Sequence, residues 1–411
     1  MADLESVSIA LPQGRVEGYC DAAFRPVLDR FVANFQEHGE VGASVCLIHD
    51  GRTLVDLWGG IADRKTEAPW TRDTVSIVFS CTKGATALCA HVLRARGLLD
   101  IDAPVAEIWP EFATNGKERA TVRMMLDHSV GVPVFREKVK QGGLYDWDYA
   151  VGLLAAQAPF WEPGTRNGYH GLTFGWTVGE IVRRISGKSL GTFFQDEVAK
   201  PLGLDFWIGL PEEIEPRVAP MIPYIPPPDA PKRRFIQALV GDPNSLPALF
   251  WLNTGGHMQG GVNTRAGRAA EIGAANGITN ARGLAGMYAP LAAGGGSLVD
   301  PTTLASMGEV SMATHDDATL LIPTRFALGF MVSMDNRRRT EEANSSVILG
   351  RRAFGHVGAG GSIGFCDPEC GLAFGYTMNR MGEGILMNER GQSLVVAAYR
   401  CLGYRDDSAG Y

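Results

Sequence analysis

The feature that most constrains the fold of this chain is the position of its β-strand signals, which stand at both ends and leave the middle to helices. Residues 43–58, ASVCLIHDGRTLVDLW, form two apolar β-prone runs around Asp50-Gly51, a dipeptide typical of tight hairpin turns. Strand signals return after residue 325 in FALGFMVSM, AFGHVGAGGSIGFCD and GLAFGYTMN. The arrangement predicts one α/β body that both termini build together.

Between these ends, residues 104–290 form helical patterns broken by proline and glycine. We therefore predict a discontinuous α/β domain, residues 1–103 and 291–411, interrupted by a helical domain at 104–290. An active site is expected in the cleft between the two. Residues 211–231 predict a long irregular arm, because proline lacks the backbone N–H that regular elements need. Its eight prolines are Pro211, Pro216, Pro220, Pro223, Pro226, Pro227, Pro228 and Pro231.

The composition argues against several classes of function. Lys and Arg number 38 against 45 Asp and Glu, a net charge of −7, whereas a nucleic-acid-binding surface is basic. No segment reaches the roughly 18 apolar residues of a membrane span, and the first residues do not resemble a secretory signal. We therefore expect a cytoplasmic protein with no nucleic-acid or membrane partner. The seven cysteines are scattered without zinc-site spacing, so we expect reduced thiols, no metal and no other cofactor.

The sharpest local motif is Ser80-Cys81-Thr82-Lys83, which opens a helical pattern over residues 82–98. The i, i+3 spacing puts the serine hydroxyl and the lysine amine on one helical face. A lysine acts as a base there only if a desolvated pocket or a positive neighbour lowers its pKa. Free N–H groups at the helix N-terminus would favour negative charge developing near the serine. Taken alone, the motif is more often an N-cap serine followed by a surface lysine.

Four segments in chain order give this motif a context. The first is TRDTVSIVFSCTKGATALCAHVLRARGLLDIDAPVAEIWPEF at 71–112, and the second is TVRMMLDHSVGVP at 121–133. The third is EPGTRNGYHGLTFGWTVGE at 162–180, and the fourth is AFGHVGAGG at 353–361. In order and approximate spacing they resemble the serine β-lactamase and penicillin-binding-protein superfamily. There the first segment carries the nucleophile, the third a catalytic tyrosine, and the fourth a Lys-Thr-Gly or His-Thr-Gly strand.

This resemblance implies an α+β fold of the β-lactamase/transpeptidase type, with an antiparallel sheet flanked by helices and a mostly helical inserted domain. The Tyr169-His170 pair and the His-Val-Gly third motif are most similar to the family VIII carboxylesterases. The resemblance therefore implies a serine esterase acting on small, short-chain carboxylic esters. Ser80 would form the acyl-enzyme, and Lys83 and Tyr169 would act as general base and acid.

The resemblance also implies which residues hold the substrate. The backbone N–H groups of Ser80 and Ala359 would bind the oxyanion, and Gly358 would let its strand pass close to the substrate. His356 would line the site in place of the family's lysine, whose charge can meet a β-lactam carboxylate. Gly171 stands where the family often has asparagine, an amide that positions β-lactam side chains. Both departures weaken the prediction of β-lactams as main substrates.

Several alternatives stay open. The same fold supports a β-lactamase, or a D-amino-acid peptidase or acyltransferase, and a non-catalytic binding protein is a third hypothesis. Ser362 lies in a Gly-x-Ser-x-Gly pattern, but the following residues predict strand, turn and strand where a nucleophile elbow needs a helix. Without its motif, Tyr169 is simply a buried tyrosine, and His356 a strand histidine packing the cleft wall. His315-Asp316-Asp317 lacks metal-ligand spacing, and the oligomeric state is left open.

Overall fold

The computed structural model describes residues 4–230, 232–340 and 345–405, and its main feature is a large antiparallel sheet. Within those ranges eleven strands form one sheet in the order β1-β2-β4-β3-β14-β13-β12-β11-β10-β9, with β5 paired to β4, and β6, β8 and β7 form a second, small sheet. The strands are β1 (Leu4–Ala10), β2 (Arg15–Asp21), β3 (Gly42–His49), β4 (Arg52–Asp63), β5 (Ala68–Pro69), β6 (Ser76–Ile77), β7 (Phe206–Ile208), β8 (Gly277–Thr279), β9 (Met312–Thr314), β10 (Thr324–Phe326), β11 (Met331–Val332), β12 (Phe354–Val357), β13 (Ile363–Asp367) and β14 (Leu372–Met378).

The two ends of the chain meet at the centre of the large sheet. Strand β14 pairs antiparallel with β3, from Leu372 opposite His49 to Met378 opposite Ala43. The predicted hairpin is present as β3 and β4, joined at Asp50-Gly51. Both turn residues have positive φ, 47° and 72°, as a two-residue hairpin turn requires. The α+β fold with an antiparallel sheet is therefore confirmed.

Helices cover the sheet and fill the middle of the chain. Helix α10 packs on β3, β13 and β14, although most of its residues fall within the range 104–290, and α1 packs against α12. None of the helices in the described ranges is long and apolar enough to cross a lipid bilayer. The helices are α1 (Arg25–Glu37), α2 (Thr82–Ala95), α3 (Val122–Leu126), α4 (Trp147–Ala156), α5 (Phe174–Ser186), α6 (Leu190–Phe194), α7 (Arg234–Gly241), α8 (Leu246–Leu252), α9 (Arg265–Ala269), α10 (Ala281–Ala292), α11 (Pro301–Met307) and α12 (Glu389–Cys401).

Helix α2 is the element that sets the position of the candidate site. Every residue from Thr82 to Leu93 is buried, so the helix has no solvent face. It packs on α5 and α6 of the helical part and also on β12 of the large sheet. A helix that is buried on all sides is held by its surroundings in every direction. The turn before α2 is therefore fixed at the junction of sheet and helices.

The proline-rich arm is less irregular than its sequence indicates. Of residues 211–231, the structure describes all but Pro231. A short 3₁₀ helix occupies Glu212–Arg217, and bridge pairings join Val218 to Val75 and Ile222 to Arg380. Proline content is a local signal, whereas these pairings involve partners more than 140 residues away, so the sequence could not indicate them.

Candidate active site

Ser80 lies in a tight turn immediately before α2, which begins at Thr82, where the helical pattern predicts its start. Phe79 has a φ of 43°, a left-handed conformation that costs a non-glycine residue about 1–3 kcal/mol. The turn is tied down by Thr82, whose hydroxyl donates to the Phe79 carbonyl and accepts from the N–H of Gly277. Ser80 itself is partly exposed, unlike its neighbours on either side. The strained residue thus lies directly before the partly exposed serine.

Lys83 lies beneath Ser80 and is fully buried. Its Nζ is 3.0 Å from Ser80 Oγ, 2.7 Å from the Gly171 carbonyl oxygen and 2.9 Å from the Ala274 carbonyl oxygen. Among the described residues, no carboxylate forms an ion pair with it. Burial lowers the pKa of Lys83 well below its ordinary value, because no nearby carboxylate offsets the cost of a desolvated charge. The amine is thus biased towards its neutral form beside the serine.

Tyr169 is the third predicted catalytic residue, and it lies against the same lysine. Lys83 Nζ is 4.6 Å from the centroid of the Tyr169 ring, which is stacked on Phe326 with the planes 10° apart. Burial raises the pKa of the phenol, while an interaction with the Ser80 hydroxyl acts in the opposite direction. The structure therefore brings Ser80, Lys83 and Tyr169 together, with the tyrosine as a neutral phenol.

Asp317 holds the backbone of Tyr169, a contact that sequence reasoning missed. Its carboxylate is buried and accepts the Tyr169 N–H at 3.0 Å and 3.1 Å, one distance to each oxygen. It also accepts two backbone N–H groups of its own loop and the hydroxyl of Thr324 at 3.1 Å. Burial raises the pKa of Asp317, and these hydrogen bonds lower it. In the sequence, this residue stands out only as part of His315-Asp316-Asp317, which lacks metal-ligand spacing, and the described residues contain no cluster that could bind a metal.

The strand motif lies directly beside the nucleophile turn. Cys81 Sγ donates to the His356 carbonyl at 3.2 Å. A Cβ on Gly358 would be 2.2 Å from the Val78 carbonyl oxygen, so only glycine allows this approach. The N–H groups of Ser80 and Ala359 donate to no acceptor within the described chain, whereas the Gly358 N–H donates to the Ser362 carbonyl at 2.7 Å. Two unused donors therefore belong to the two residues that the resemblance indicates.

His356 is almost completely buried. Only 2% of it is exposed, and its Nδ1 lies 2.7 Å from the Val357 carbonyl, which assigns the proton to Nδ1. The Nε2 atom is buried and has no partner among the described residues. Burial, with a contribution from Lys83, lowers the pKa of His356 to about 3. The ring is therefore neutral and lies next to Tyr169, with 6.0 Å between the ring centroids.

Two further histidines support the tyrosine segment. His128 has a φ of 68°, and its Nδ1 accepts the His170 N–H at 3.1 Å. His170 Nε2 accepts the Val132 N–H at 3.1 Å, and its Nδ1 lies 2.7 Å from the Gly168 carbonyl. Burial lowers the pKa of His170 to about 3 and that of His128 well below its ordinary value. Both rings are therefore neutral supports of the loop.

Ser362 does not have the surroundings of a nucleophile. It is fully buried, and its hydroxyl has no hydrogen-bond partner among the described residues. The residue lies between β12 and β13, which pair antiparallel. No helix follows it, in agreement with the strand-turn-strand prediction.

Comparisons with known proteins agree with this geometry. A family model described as β-lactamase matches residues 28–397. The "Esterase/beta-lactamase LipL" of Mycobacterium tuberculosis is 36% identical over 392 residues, which covers 91% of this chain and 85% of that protein. A crystal structure of a family VIII carboxylesterase has a TM-score of 0.81 and 40% identity, covering 94% of this chain and 99% of the other. A penicillin-binding protein homologue from Caulobacter crescentus has a TM-score of 0.81 and 34% identity, with the same coverage.

Proposed function

The chain belongs to the β-lactamase family and is a serine hydrolase, and from this premise we propose that it is a carboxylesterase acting on short-chain carboxylic esters through an acyl-enzyme on Ser80. The observation that carries the proposal is the buried amine of Lys83, 3.0 Å from the Ser80 hydroxyl. A neutral lysine so placed is the base that a serine nucleophile needs. The ester substrate is supported by the names of relatives described as esterases.

Acylation begins with proton transfer from Ser80 to Lys83. The carbonyl oxygens of Gly171 and Ala274 accept the two N–H groups of the neutral amine. Its lone pair then faces the Ser80 hydroxyl and takes that proton as Oγ attacks the ester carbonyl. The oxyanion that forms accepts hydrogen bonds from the free N–H groups of Ser80 and Ala359. Removing one such donor typically lowers kcat about 10²–10³-fold.

The proton must next reach the leaving alcohol. Tyr169 remains a neutral phenol because burial raises its pKa; its ring lies against Lys83, and its hydroxyl interacts with Ser80. It accepts the proton from Lys83 while donating its own to the alcohol oxygen, so the carbon–oxygen bond of the ester breaks without leaving an alkoxide. Water then attacks the acyl-enzyme and gives its proton to Lys83. The tetrahedral intermediate collapses to the carboxylic acid as the Ser80 Oγ bond to the acyl carbon breaks, and Lys83 returns the proton to Ser80 Oγ.

A preference for esters over β-lactams follows from the charge of the site. His356 is neutral, so it adds no cation to meet a β-lactam carboxylate. A charge-assisted hydrogen bond contributes about 1.5–3 kcal/mol, or roughly ten- to a hundredfold in kcat/KM. A neutral ester does not use that interaction and loses nothing. The second candidate, a β-lactamase or penicillin-interacting enzyme, is favoured by the names of LipL and of the Caulobacter homologue.

Steady-state kinetics on two chromogenic substrates separate the candidates. We expect wild-type kcat/KM to be at least tenfold higher for nitrophenyl butyrate than for nitrocefin, whereas a β-lactamase would show the reverse. Ser80→Ala should lower ester turnover by several orders of magnitude, and Ser362→Ala, the matched control, should retain most of it. A dead Ser362→Ala enzyme with a live Ser80→Ala enzyme would overturn the proposal.

We also propose a domain division and a cellular location. The division into a sheet domain, residues 1–103 and 291–411, and a helical domain at 104–290 is supported by the position of Ser80 where α2 contacts both parts. A cytoplasmic location is a proposal that cell fractionation tests.

A further inference from the structure

The ring of Phe250 occupies the space into which a side chain at position 171 would extend. Phe250 lies on α8, which packs with α7 as a helical pair. A Cβ built on Gly171 would be 1.7 Å from Phe250 Cε2, the closest approach of any glycine to a side chain in the described structure. Such a contact is far inside van der Waals distance. Any residue but glycine at 171 must therefore displace this ring.

The backbone gives Gly171 no other reason to be glycine. Its φ is not among the positive values that L-residues rarely adopt. The carbonyl oxygen of Gly171 accepts a hydrogen bond from Lys83 Nζ, with 2.7 Å between the two atoms. The phenyl ring of Phe250 thus requires glycine at position 171. The carbonyl oxygen of the same residue holds the proposed base, Lys83.

Phe250 is part of an aromatic wall beside the proposed catalytic residues. Its ring centroid is 6.3 Å from that of Tyr169 and 6.0 Å from that of Phe235, both in edge-to-face contact. Phe235 is 6% exposed and comes from α7, so the wall is anchored in both helices of the pair. Phe250 itself is only partly buried, so part of the residue remains accessible. An edge-to-face aromatic pair holds its geometry better than an isolated side chain.

We propose that Phe250 is a specificity-determining residue that closes the acyl side of the site, admitting short apolar acyl groups and excluding long or amide-bearing ones. In the tetrahedral intermediate the oxyanion faces Ser80 and Ala359, and the leaving oxygen must meet the hydroxyl of Tyr169. The acyl chain takes the remaining direction. Phe250 covers Gly171, whose carbonyl oxygen holds Lys83 beside Ser80, and its aromatic carbon offers that chain apolar contact and no hydrogen bond. The proposal rests on the ester hydrolysis proposed above.

The test measures how kcat/KM depends on the length of the acyl chain and, separately, on the length of the alcohol. For Phe250→Ala we expect kcat/KM for nitrophenyl octanoate, divided by that for nitrophenyl acetate, to rise at least tenfold over wild type. Phe250→Leu should give a smaller rise and serves as a second variant if the alanine protein does not fold. Leu252→Ala is the matched control, because Leu252 is on the same helix and 52% exposed, and its ratio should equal that of wild type. A parallel series of acetate esters with lengthening alcohols should change little in Phe250→Ala.

A double substitution tests the steric coupling directly. Gly171→Asn alone should lower both the melting temperature and acetate hydrolysis, because its side chain collides with the ring. Adding Phe250→Ala should restore part of both, a strongly non-additive result.

An unchanged octanoate-to-acetate ratio, a change confined to the alcohol series, or additive effects of the two substitutions would overturn the role of Phe250. In each of these cases wild type would still hydrolyse acetate. Failure of the proposed function is distinct, because wild type itself would then form no acyl-enzyme and hydrolyse no ester.

Discussion

At the scale of single residues, the site depends on keeping Lys83 neutral. The sequence predicted Ser80, Lys83 and Tyr169 because each lies in a local motif. Asp317 could not be predicted, since its carboxylate meets Tyr169 across 148 residues and its own surroundings are ordinary polar loop. Phe250 escaped notice for the same reason, although Gly171, the departure from the family motif, marked the position that it fills.

The pH profile of kcat/KM should show one acid limb. The active form needs a neutral Lys83, and burial lowers the pKa of that amine, so activity falls as the pH drops through the lowered value. His170 and His356 stay neutral above about pH 3 and add no limb, and the raised pKa of Tyr169 places its ionisation at high alkaline pH. Nitrophenyl butyrate hydrolysis from pH 5 to 10 checks this.

Lys83→Arg is the matched control for that profile, because arginine keeps its charge throughout this range. It should lose several orders of magnitude of activity at every pH. A bell-shaped wild-type profile that falls again below pH 10 would contradict a neutral tyrosine.

Asp317→Asn should lower kcat about tenfold or more with little change in KM, because Asp317 orients Tyr169 and contacts no substrate. The substitution replaces one carboxylate oxygen, which accepts hydrogen bonds, with an NH2 group that would face the N–H donors of the loop. A buried group left without a partner in this way costs about 1–3 kcal/mol of stability. Asp316→Asn is the control at the adjacent position, where an exposed carboxylate pairs with Arg234. Equal kinetics for the two variants would show that Asp317 has no positioning role.

At the scale of elements, the site depends on how closely β12 passes the turn before α2. The sequence predicted the hairpin, the C-terminal strands and the start of a helix near Ser80, since apolar periodicity is local. It did not predict the small sheet of β6, β8 and β7, whose strands of two or three residues carry too little pattern. That sheet ties β6, just before Ser80, to β8 of the helical part.

Gly358→Ala tests the contact between β12 and the nucleophile turn. A Cβ at this position would be 2.2 Å from the Val78 carbonyl, which belongs to backbone and cannot rotate away. We expect a loss of about 1–3 kcal/mol in the free energy of unfolding, and at least a hundredfold loss of kcat/KM as the Ala359 N–H moves. Urea denaturation and ester kinetics measure the two effects.

Gly152→Ala is the control, because it lies in helix α4 with nothing within 4 Å of a new Cβ. That variant should be up to about 1 kcal/mol more stable than wild type and equally active. A Gly358→Ala enzyme that behaves in the same way would contradict the tight approach of the two elements.

At the scale of the whole molecule, one sheet built from both termini holds a buried interior that includes several neutral histidines. That both termini build one body was predictable from the strand signals at the two ends, and the antiparallel α+β fold was implied by the family resemblance. The burial of the histidines was not, because it depends on which distant elements cover them. His91 is one example, with its ring stacked on Phe330 and its Nε2 2.9 Å from the Leu328 carbonyl.

Acid should destabilise the protein through these histidines. Burial lowers the pKa of His91 to about 4 in the folded state, while the unfolded chain keeps the ordinary value of about 6.5. Between these two pH values the unfolded state binds the extra proton, so stability falls as the pH falls, by about 2 kcal/mol at pH 5 for this group. His91→Gln should reduce the stability difference between pH 7.5 and pH 5 by about that amount.

Urea denaturation at the two pH values measures the difference, with His38→Gln, at an exposed histidine, as control. An equal pH dependence in His91→Gln and wild type would show that His91 is not buried as a neutral ring.

The most direct test of the central claim is the mass of the enzyme stopped by acid during turnover of nitrophenyl butyrate. We expect one added butyryl group, located by peptide mapping on Ser80, absent in Ser80→Ala and retained in Ser362→Ala. In Tyr169→Phe the amount of adduct depends on whether acylation or deacylation is slowed more, but the adduct should still be found on Ser80. A butyryl group on any other side chain, or undiminished ester turnover in Ser80→Ala, would contradict the assignment of the nucleophile and the mechanism that depends on it.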